Sequence, residues 1–192
     1  MKLSFNHIVD TERGKTAIIV GLGPSLRSDI EKITHISKTK RDKYVIISCN
    51  RISKVSDMHV DYWVLANNLG SMTINNNFET YNKMKNCTIV YASTVDPTPL
   101  NQVNRVLKNN FLPFDQRNHE TNNTIQTILQ RYTNHDVHYG SGTTVAVHMT
   151  ALAILLGCKD IYITGVDLDY SDGYVNNNIK PFTPTGAYHR IY

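Results

Sequence analysis

The chain has few cysteines and no long apolar run, and both shortages narrow the class of protein it can be. Its three cysteines cannot all pair and include no Cys-x-x-Cys spacing, so we expect free, buried thiols in a reducing compartment. No stretch reaches the about 18 apolar residues of a membrane span. The start, Met1–His7, lacks the apolar core of a signal peptide. We therefore expect a cytoplasmic protein with no integral membrane segment.

The chain also carries little net charge. The formal net charge is only +4 and the basic residues are scattered, which is no signature of nucleic-acid binding. A mildly basic chain of this kind suits a small anionic ligand or an acidic surface. The histidines show no ligand spacing, so no histidine metal site is expected. At 192 residues the chain is long enough for one domain with its own core.

Short apolar runs alternate with helical or polar segments, which is typical of an α/β fold with a mainly parallel sheet. Five such runs predict buried strands: Lys15–Val20, Tyr44–Asn50, Asp61–Asn67, Cys87–Ala92 and Asp160–Gly165. The sequence thus predicts a single Rossmann-like domain over residues 1–192, with helices flanking the sheet. It also predicts a polar, loop-rich excursion at about 111–136 and an irregular tail at about 176–192.

Two helices carry recognisable boundary signals. One is predicted to begin at Ser28, which has the side chain of an N-cap residue. The other is predicted to begin at Thr143 and to end at Gly157, a typical helix-ending residue. Its apolar residues recur at helical spacing and predict one buried face: Val145, Met149, Leu152, Leu155 and Leu156.

A glycine-bearing turn, Gly21–Ser25, follows the first predicted strand and precedes the first predicted helix. Strand, glycine turn and helix form the first half of a mononucleotide-binding unit. Leu26 stands where the third glycine of the dinucleotide fingerprint would be, so the match to that fingerprint is incomplete. Ordinary turn geometry and nucleotide contact explain these glycines about equally well.

Polar residues also follow the other predicted strands and open the second helix. Asn50 and Asn67 end two consecutive strands, and Asp167 follows the last one. Ser141 and Gly142 precede a helix whose first N–H groups can hold a phosphate. In an open parallel sheet, ligands bind beyond the carboxyl ends of the strands, so these residues stand where a site is expected. Capping and loop-fixing roles are the competing interpretation.

The order of these motifs resembles that of bacterial sialyltransferases of glycosyltransferase family 42. The shared segments are Val20–Leu26, Ser48–Asn50, Leu65–Asn67, Ser141-Gly142 and Leu155–Leu168. The chain is also similar to motility-associated flagellin glycosyltransferases and archaeal hydroxymethylpterin pyrophosphokinases. The latter carry a Gly-x-Gly-Pro-Ser-Leu turn and a Gly-x-Asp-Leu strand end.

The family-42 resemblance implies a GT-A-like variant of the fold and transfer of a sialic-acid-type sugar from a CMP-activated donor. The acceptor would be a hydroxyl of a glycan or glycolipid, and neither a metal nor another cofactor would be needed. The implied donor-binding residues are Gly21, Gly23, Pro24, Ser25, Asn50, Asn67, Ser141, Gly142 and Asp167. Tyr170 and Tyr174 would stabilise the departing CMP phosphate, and His189 would deprotonate the acceptor hydroxyl.

The chain departs from the sialyltransferases at its C-terminal end, because it stops at Tyr192, where those enzymes continue. Two alternatives stay open. One is a pyrophosphokinase-like enzyme that uses ATP and a hydroxymethylpterin, with Mg²⁺ held by Asp167 and neighbouring acids. The other is a catalytically inactive nucleotide-binding module. Peripheral membrane association and a homo-oligomeric state also stay open.

Overall fold

The fold is described here from a computed structural model, which describes residues 7–49, 52, 56–65, 86–92, 110–114 and 145–167. These residues form six strands: β1 (Thr16–Val20), β2 (Tyr44–Cys49), β3 (Tyr62–Leu65), β4 (Thr88–Ala92), β5 (Asn110–Phe114) and β6 (Asp160–Thr164). They also form two α-helices: α1 (Leu26–Thr39) and α2 (Val145–Leu155). None of the described helices is long and apolar enough to cross a membrane.

The described strands form one sheet in the order β5-β4-β3-β2-β1-β6. Every neighbouring pair is parallel, which confirms the predicted α/β architecture with a parallel sheet. At the carboxyl end of β1, Val20 lies beside Ser48 of β2 and Thr164 of β6. Strand β1 therefore lies between the first strand to follow it and the last described strand of the chain.

The core lies around the centre of the sheet. Strands β1 and β3 are buried at every position, and β2 is buried at every position after Tyr44. Helix α1 contacts β2, and α2 contacts β1, β2 and β3. Parallel strands that are covered on both faces consist of nearly continuous apolar runs, which is why these three were visible in the sequence.

Helix α2 is buried on more than the one face that its spacing predicts. Met149, Leu152 and Leu155 of that face are buried, and so are Ala146, His148, Ala151 and Ala153. His148 is 6% exposed, as expected of a core histidine, and burial lowers its pKa to about 4. Helix α2 is therefore a central element of the core rather than a surface helix.

The carboxyl end of α2 is capped by the segment before β1. The N–H groups of Asp10 and Glu12 donate to the carbonyl oxygens of Leu155 and Leu156. Gly157 follows with φ +77°, the left-handed conformation of a glycine helix end, as predicted. Those carbonyl groups have no partner inside the helix, so the preceding segment satisfies them instead.

The prediction of free cysteines is confirmed. The three thiols, Cys49, Cys87 and Cys158, form no disulfide; the first two are buried as predicted, whereas Cys158 is only partly buried. Burial raises the pKa of Cys49 and Cys87 to about 12, so both stay protonated at neutral pH.

The prediction of a buried strand at Asp160–Gly165 is half wrong. The strand exists as β6, but Tyr162 and Ile163 are 65% and 53% exposed. Among the described strands, β6 pairs only with β1 and forms one edge of the sheet. An apolar run reveals a strand but not its distance from the centre of the sheet.

Two predicted boundaries are also wrong. Helix α1 begins at Leu26 with Ser25 as its N-cap residue, and the hydroxyl of Ser28 donates to the Ser25 carbonyl oxygen. The predicted loop-rich excursion does not begin at residue 111, because 111–114 belong to β5. Proline is tolerated mainly on edge strands, and Pro113 lies in the strand at the other end of the described sheet. Residues 115–136 and 176–192 lie outside the described part of the chain.

Candidate functional site

The candidate site lies where β1 and β6 end. After β1 the chain moves toward β2, whereas β6 lies on the opposite side of β1. The connections of a parallel sheet diverge at such a switch point and leave a crevice beyond the carboxyl ends of the two strands. Two loops lie at this position: Gly21–Ser25 after β1, here called the β1 loop, and Gly165–Asp167 after β6, here called the β6 loop.

The two loops are in direct backbone contact. The N–H of Gly21 donates to the Thr164 carbonyl oxygen at 2.8 Å, and the N–H of Gly23 donates to the Gly165 carbonyl oxygen at 2.7 Å. A Cβ atom on Gly21 would collide with that same Gly165 oxygen, and one on Gly23 would collide with the Asp167 carboxylate. Both glycines are therefore required by the approach of the β6 loop, whether or not a ligand is bound.

Gly165 is the central residue of this contact. Its φ of +67° is left-handed, a conformation that glycine adopts without strain. Its N–H donates to Ser25 Oγ at 2.9 Å, while its carbonyl oxygen accepts from Gly23. Gly165 is therefore held on both sides of its Cα by the β1 loop.

Two carboxylates lie near the carboxyl end of β6. Asp167 is exposed, and its Oδ2 accepts a hydrogen bond from the N–H of Ser25 at 3.1 Å. Asp29, in the first turn of α1, accepts from the hydroxyl of Thr164 at 2.8 Å. Negative charge is favourable at a helix N-terminus, so the start of α1 stabilises both groups. A free phosphate entering here would meet these two charges.

The donor atoms suit a hard divalent cation. Mg²⁺ is commonly held by one or two carboxylates together with substrate phosphates and water, and exposed Asp167 offers such an oxygen. Nowhere in the described ranges do three His, Cys, Asp or Glu side chains cluster as a metal site. The described residues therefore fit a cation that is shared with a substrate.

The structure brings together the predicted site residues that it describes. Gly21, Gly23, Pro24 and Ser25 lie in the β1 loop, and Asp167 lies in the β6 loop against Ser25. The other predicted site residues lie outside the described residues and stay predictions: Asn50, Asn67, Ser141, Gly142, Tyr170, Tyr174 and His189.

Sequence reasoning missed two residues that hold the site together, Asp29 and Thr164. Their hydrogen bond joins positions 135 residues apart, and no local pattern announces such a pair. The available signal was indirect: an acidic residue in the first helical turn and a hydroxyl at the last strand position. Each has an ordinary local explanation.

The parallel sheet, its switch point and the glycine-bearing β1 loop define a Rossmann-like α/β protein. A comparison with protein families then assigns the chain more closely. Residues 1–173 match the model of the family described as 6-hydroxymethylpterin diphosphokinase MptE-like, and the chain belongs to that family. A comparison with curated proteins finds no match. The resemblance to hydroxymethylpterin pyrophosphokinases is thereby confirmed at the level of the family, whereas the sialyltransferase assignment stays a prediction.

Proposed function

We propose that this protein is a diphosphokinase that transfers a diphosphate group from ATP to the hydroxymethyl group of a pterin, with Mg²⁺. Membership of the MptE-like family, over residues 1–173, is the observation that carries the proposal. The proposal replaces the CMP-sugar donor as our first choice. A family description covering most of the chain is more specific than the order of short motifs.

The reaction is a displacement at phosphorus. The hydroxymethyl oxygen of the pterin attacks the β-phosphorus of ATP, and the bond from that phosphorus to the oxygen bridging the α-phosphate breaks. AMP leaves with the electron pair of that bond, the pterin keeps the β- and γ-phosphates, and the hydroxyl proton passes to solvent or to a base. A bound Mg²⁺ supplies charge neutralisation on the phosphate oxygens.

The described residues have distinct roles in this scheme. Asp167 holds the cation through its exposed carboxylate. One oxygen of this carboxylate accepts a hydrogen bond from the N–H of Ser25, at the start of α1. The β1 loop brings the backbone of Gly21–Ser25 to the switch-point crevice, where the phosphates of the nucleotide bind. Its glycines permit this arrangement, because a Cβ atom on Gly21 or Gly23 would collide with the β6 loop.

Charge favours this assignment over a metal-free donor. If ATP enters without a cation, its negatively charged triphosphate meets the two carboxylates of Asp29 and Asp167. Coulomb repulsion at about 4 Å costs on the order of 1 kcal/mol per pair in water, and more at a partly buried site. A divalent cation between carboxylate and phosphate reverses the sign of that interaction.

The test is a nucleotide panel read by thermal shift and by binding, with and without Mg²⁺. ATP with Mg²⁺ should raise the melting temperature, ATP alone should do so weakly, and Asp167→Asn should abolish the effect of the cation. Asp160→Asn is the matched control, because it removes the same charge from the amino end of β6. Conversion of ATP and 6-hydroxymethylpterin to AMP and the pterin diphosphate is the activity readout. The proposal would be contradicted if ATP raised the melting temperature equally with and without Mg²⁺, and equally in the wild type and in Asp167→Asn.

One sequence feature favours a second candidate, the sialyltransferase-like activity. Tyr170 and Tyr174 follow Gly165 at the spacing that the family-42 resemblance assigns to the pair that stabilises departing CMP. Under this candidate, CMP and CMP-sialic acid protect the protein without metal, and ATP does not. Nucleotide binding with no turnover of either substrate would indicate the inactive module instead.

A further inference from the structure

The side chain of Ser25 is engaged by the protein itself. Ser25 Oγ accepts a hydrogen bond from the N–H of Gly165 at 2.9 Å, and Gly165 is a buried residue. Removing the hydroxyl would leave that N–H without this acceptor. A buried N–H that makes no hydrogen bond lowers the stability of the folded protein. Ser25 therefore has a defined task in joining the two loops, in addition to its place at the start of α1.

A second hydrogen bond joins the same residue to the end of the β6 loop. The N–H of Ser25 donates to Oδ2 of Asp167 at 3.1 Å. One residue of the β1 loop thus holds the β6 loop at two points: through its hydroxyl at Gly165, and through its N–H at the carboxylate. Only Val166 lies between these two points of the β6 loop.

The neighbouring contacts hold the rest of the loop but not the carboxylate. Thr164 Oγ1 donates to Asp29, and the N–H of Gly23 donates to the Gly165 carbonyl oxygen. These bonds fix the end of β6 and the first residue of the β6 loop. Among the hydrogen bonds of the described residues, the one that reaches the Asp167 carboxylate comes from Ser25.

We propose that Ser25 is a positioning residue, which orients the carboxylate of Asp167 toward the cation by hydrogen bonds to both ends of the β6 loop. The inference rests on the proposed function, since it assumes that Asp167 holds the metal of a metal–nucleotide complex. It assigns the Ser25 hydroxyl to Gly165 rather than to the nucleotide. Removing a group that orients a metal ligand typically lowers metal affinity about 10- to 100-fold.

The experiment measures Mn²⁺ affinity by electron paramagnetic resonance at saturating ATP, together with the melting temperature of each variant. Ser25→Ala should lower the affinity for Mn²⁺ roughly 10-fold or more. Ser25→Thr, which restores the hydroxyl, should recover most of that affinity. Ser28→Ala is the matched control, because the Ser28 hydroxyl donates only to the Ser25 carbonyl oxygen in the described hydrogen bonds. It should leave Mn²⁺ affinity unchanged. If Ser25→Ala does not fold, Ser25→Gly replaces it, because glycine is tolerated at an N-cap.

The outcomes separate this inference from the proposed function. Wild-type affinity in Ser25→Ala or Ser25→Gly, with affinity lost in Asp167→Asn, overturns the positioning role alone. An equal loss in Ser28→Ala also overturns it, since the effect would then belong to the helix start in general. Wild-type protein that shows no nucleotide-dependent Mn²⁺ binding overturns the proposed function and the positioning role with it.

Discussion

Single residues at the switch point are constrained by their neighbours across the crevice. Gly21 and Gly23 were predicted as ligand-facing glycines or as ordinary turn glycines, and the structure adds a third reason, the closeness of the β6 loop. Glycine is required at Gly21 because a Cβ atom would collide with the β6 loop, not because of its backbone conformation. At Gly14 the opposite holds, because its φ is +81° and nothing lies within 4 Å of an added Cβ.

Gly21→Ala and Gly14→Ala separate these two causes. We expect Gly21→Ala to lower the free energy of unfolding by about 3 kcal/mol, since backbone atoms of the β6 loop must move. Gly14→Ala should cost about 1 kcal/mol, which is the strain of a left-handed alanine. Urea denaturation of both variants checks the difference. Equal losses of unfolding free energy would mean that the two loops separate easily and that their close contact does not constrain Gly21.

His148 predicts a pH dependence at the scale of one residue. Its ordinary pKa is 6.5, and burial lowers the pKa to about 4 in the folded protein. Below pH 6.5 the unfolded chain therefore binds a proton that the folded chain does not, and stability falls as the pH drops toward 4. At pH 5 the loss relative to pH 8 should be about 2 kcal/mol.

Replacement of the imidazole tests this assignment. His148→Gln should remove that part of the pH dependence between pH 8 and 5, whatever its cost at neutral pH. His35→Gln is the control, because His35 lies on the exposed side of α1 and leaves the buried histidine in place. Urea denaturation at a series of pH values is the measurement. An unchanged slope in His148→Gln would show that other groups cause the acid sensitivity.

At the scale of elements, position in the sheet decides what an apolar strand contributes. Strands β1 and β6 are neighbours with the same kind of sequence, yet β1 is buried throughout and β6 is largely exposed. Helix α2 shows the converse, because its spacing predicts one buried face, whereas most of its residues are buried in the structure. Strand β5 was missed because its proline and polar neighbours are typical of loops.

A matched pair of isoleucines tests the difference between β1 and β6. Ile19 and Ile163 are register partners on adjacent strands, and they are 0% and 53% exposed. Ile19→Ala should cost about 3 to 4 kcal/mol, through lost burial and the cavity that remains. Ile163→Ala should cost less than about 1 kcal/mol. A large loss at Ile163, measured by the same denaturation, would show that this face of β6 is covered in solution.

At the scale of the whole molecule, topology brings the two loops of the candidate site together from distant parts of the chain. Ser25 and Asp167 are 142 residues apart, and they meet because β6 returns beside β1. The prediction that belongs to this scale is the nucleotide panel, because a nucleotide bound at the switch point would contact both loops at once. Protection by Mg²⁺ and ATP that disappears in Asp167→Asn would connect the family, the fold and the crevice.

The sequence by itself determined the fold class, five of the six described strands and the existence of α2, since buried parallel strands and helices have strong hydrophobic periodicity. It also predicted that the β1 loop and Asp167 lie at the same edge of the sheet, where the structure places them in contact. Only the tertiary structure decided that Gly21 and Gly23 make room for the β6 loop, that the Ser25 hydroxyl binds Gly165 instead of capping α1, and that β6 is largely exposed. These facts depend on which strands become neighbours, and local patterns along the chain carry no information about such distant pairings.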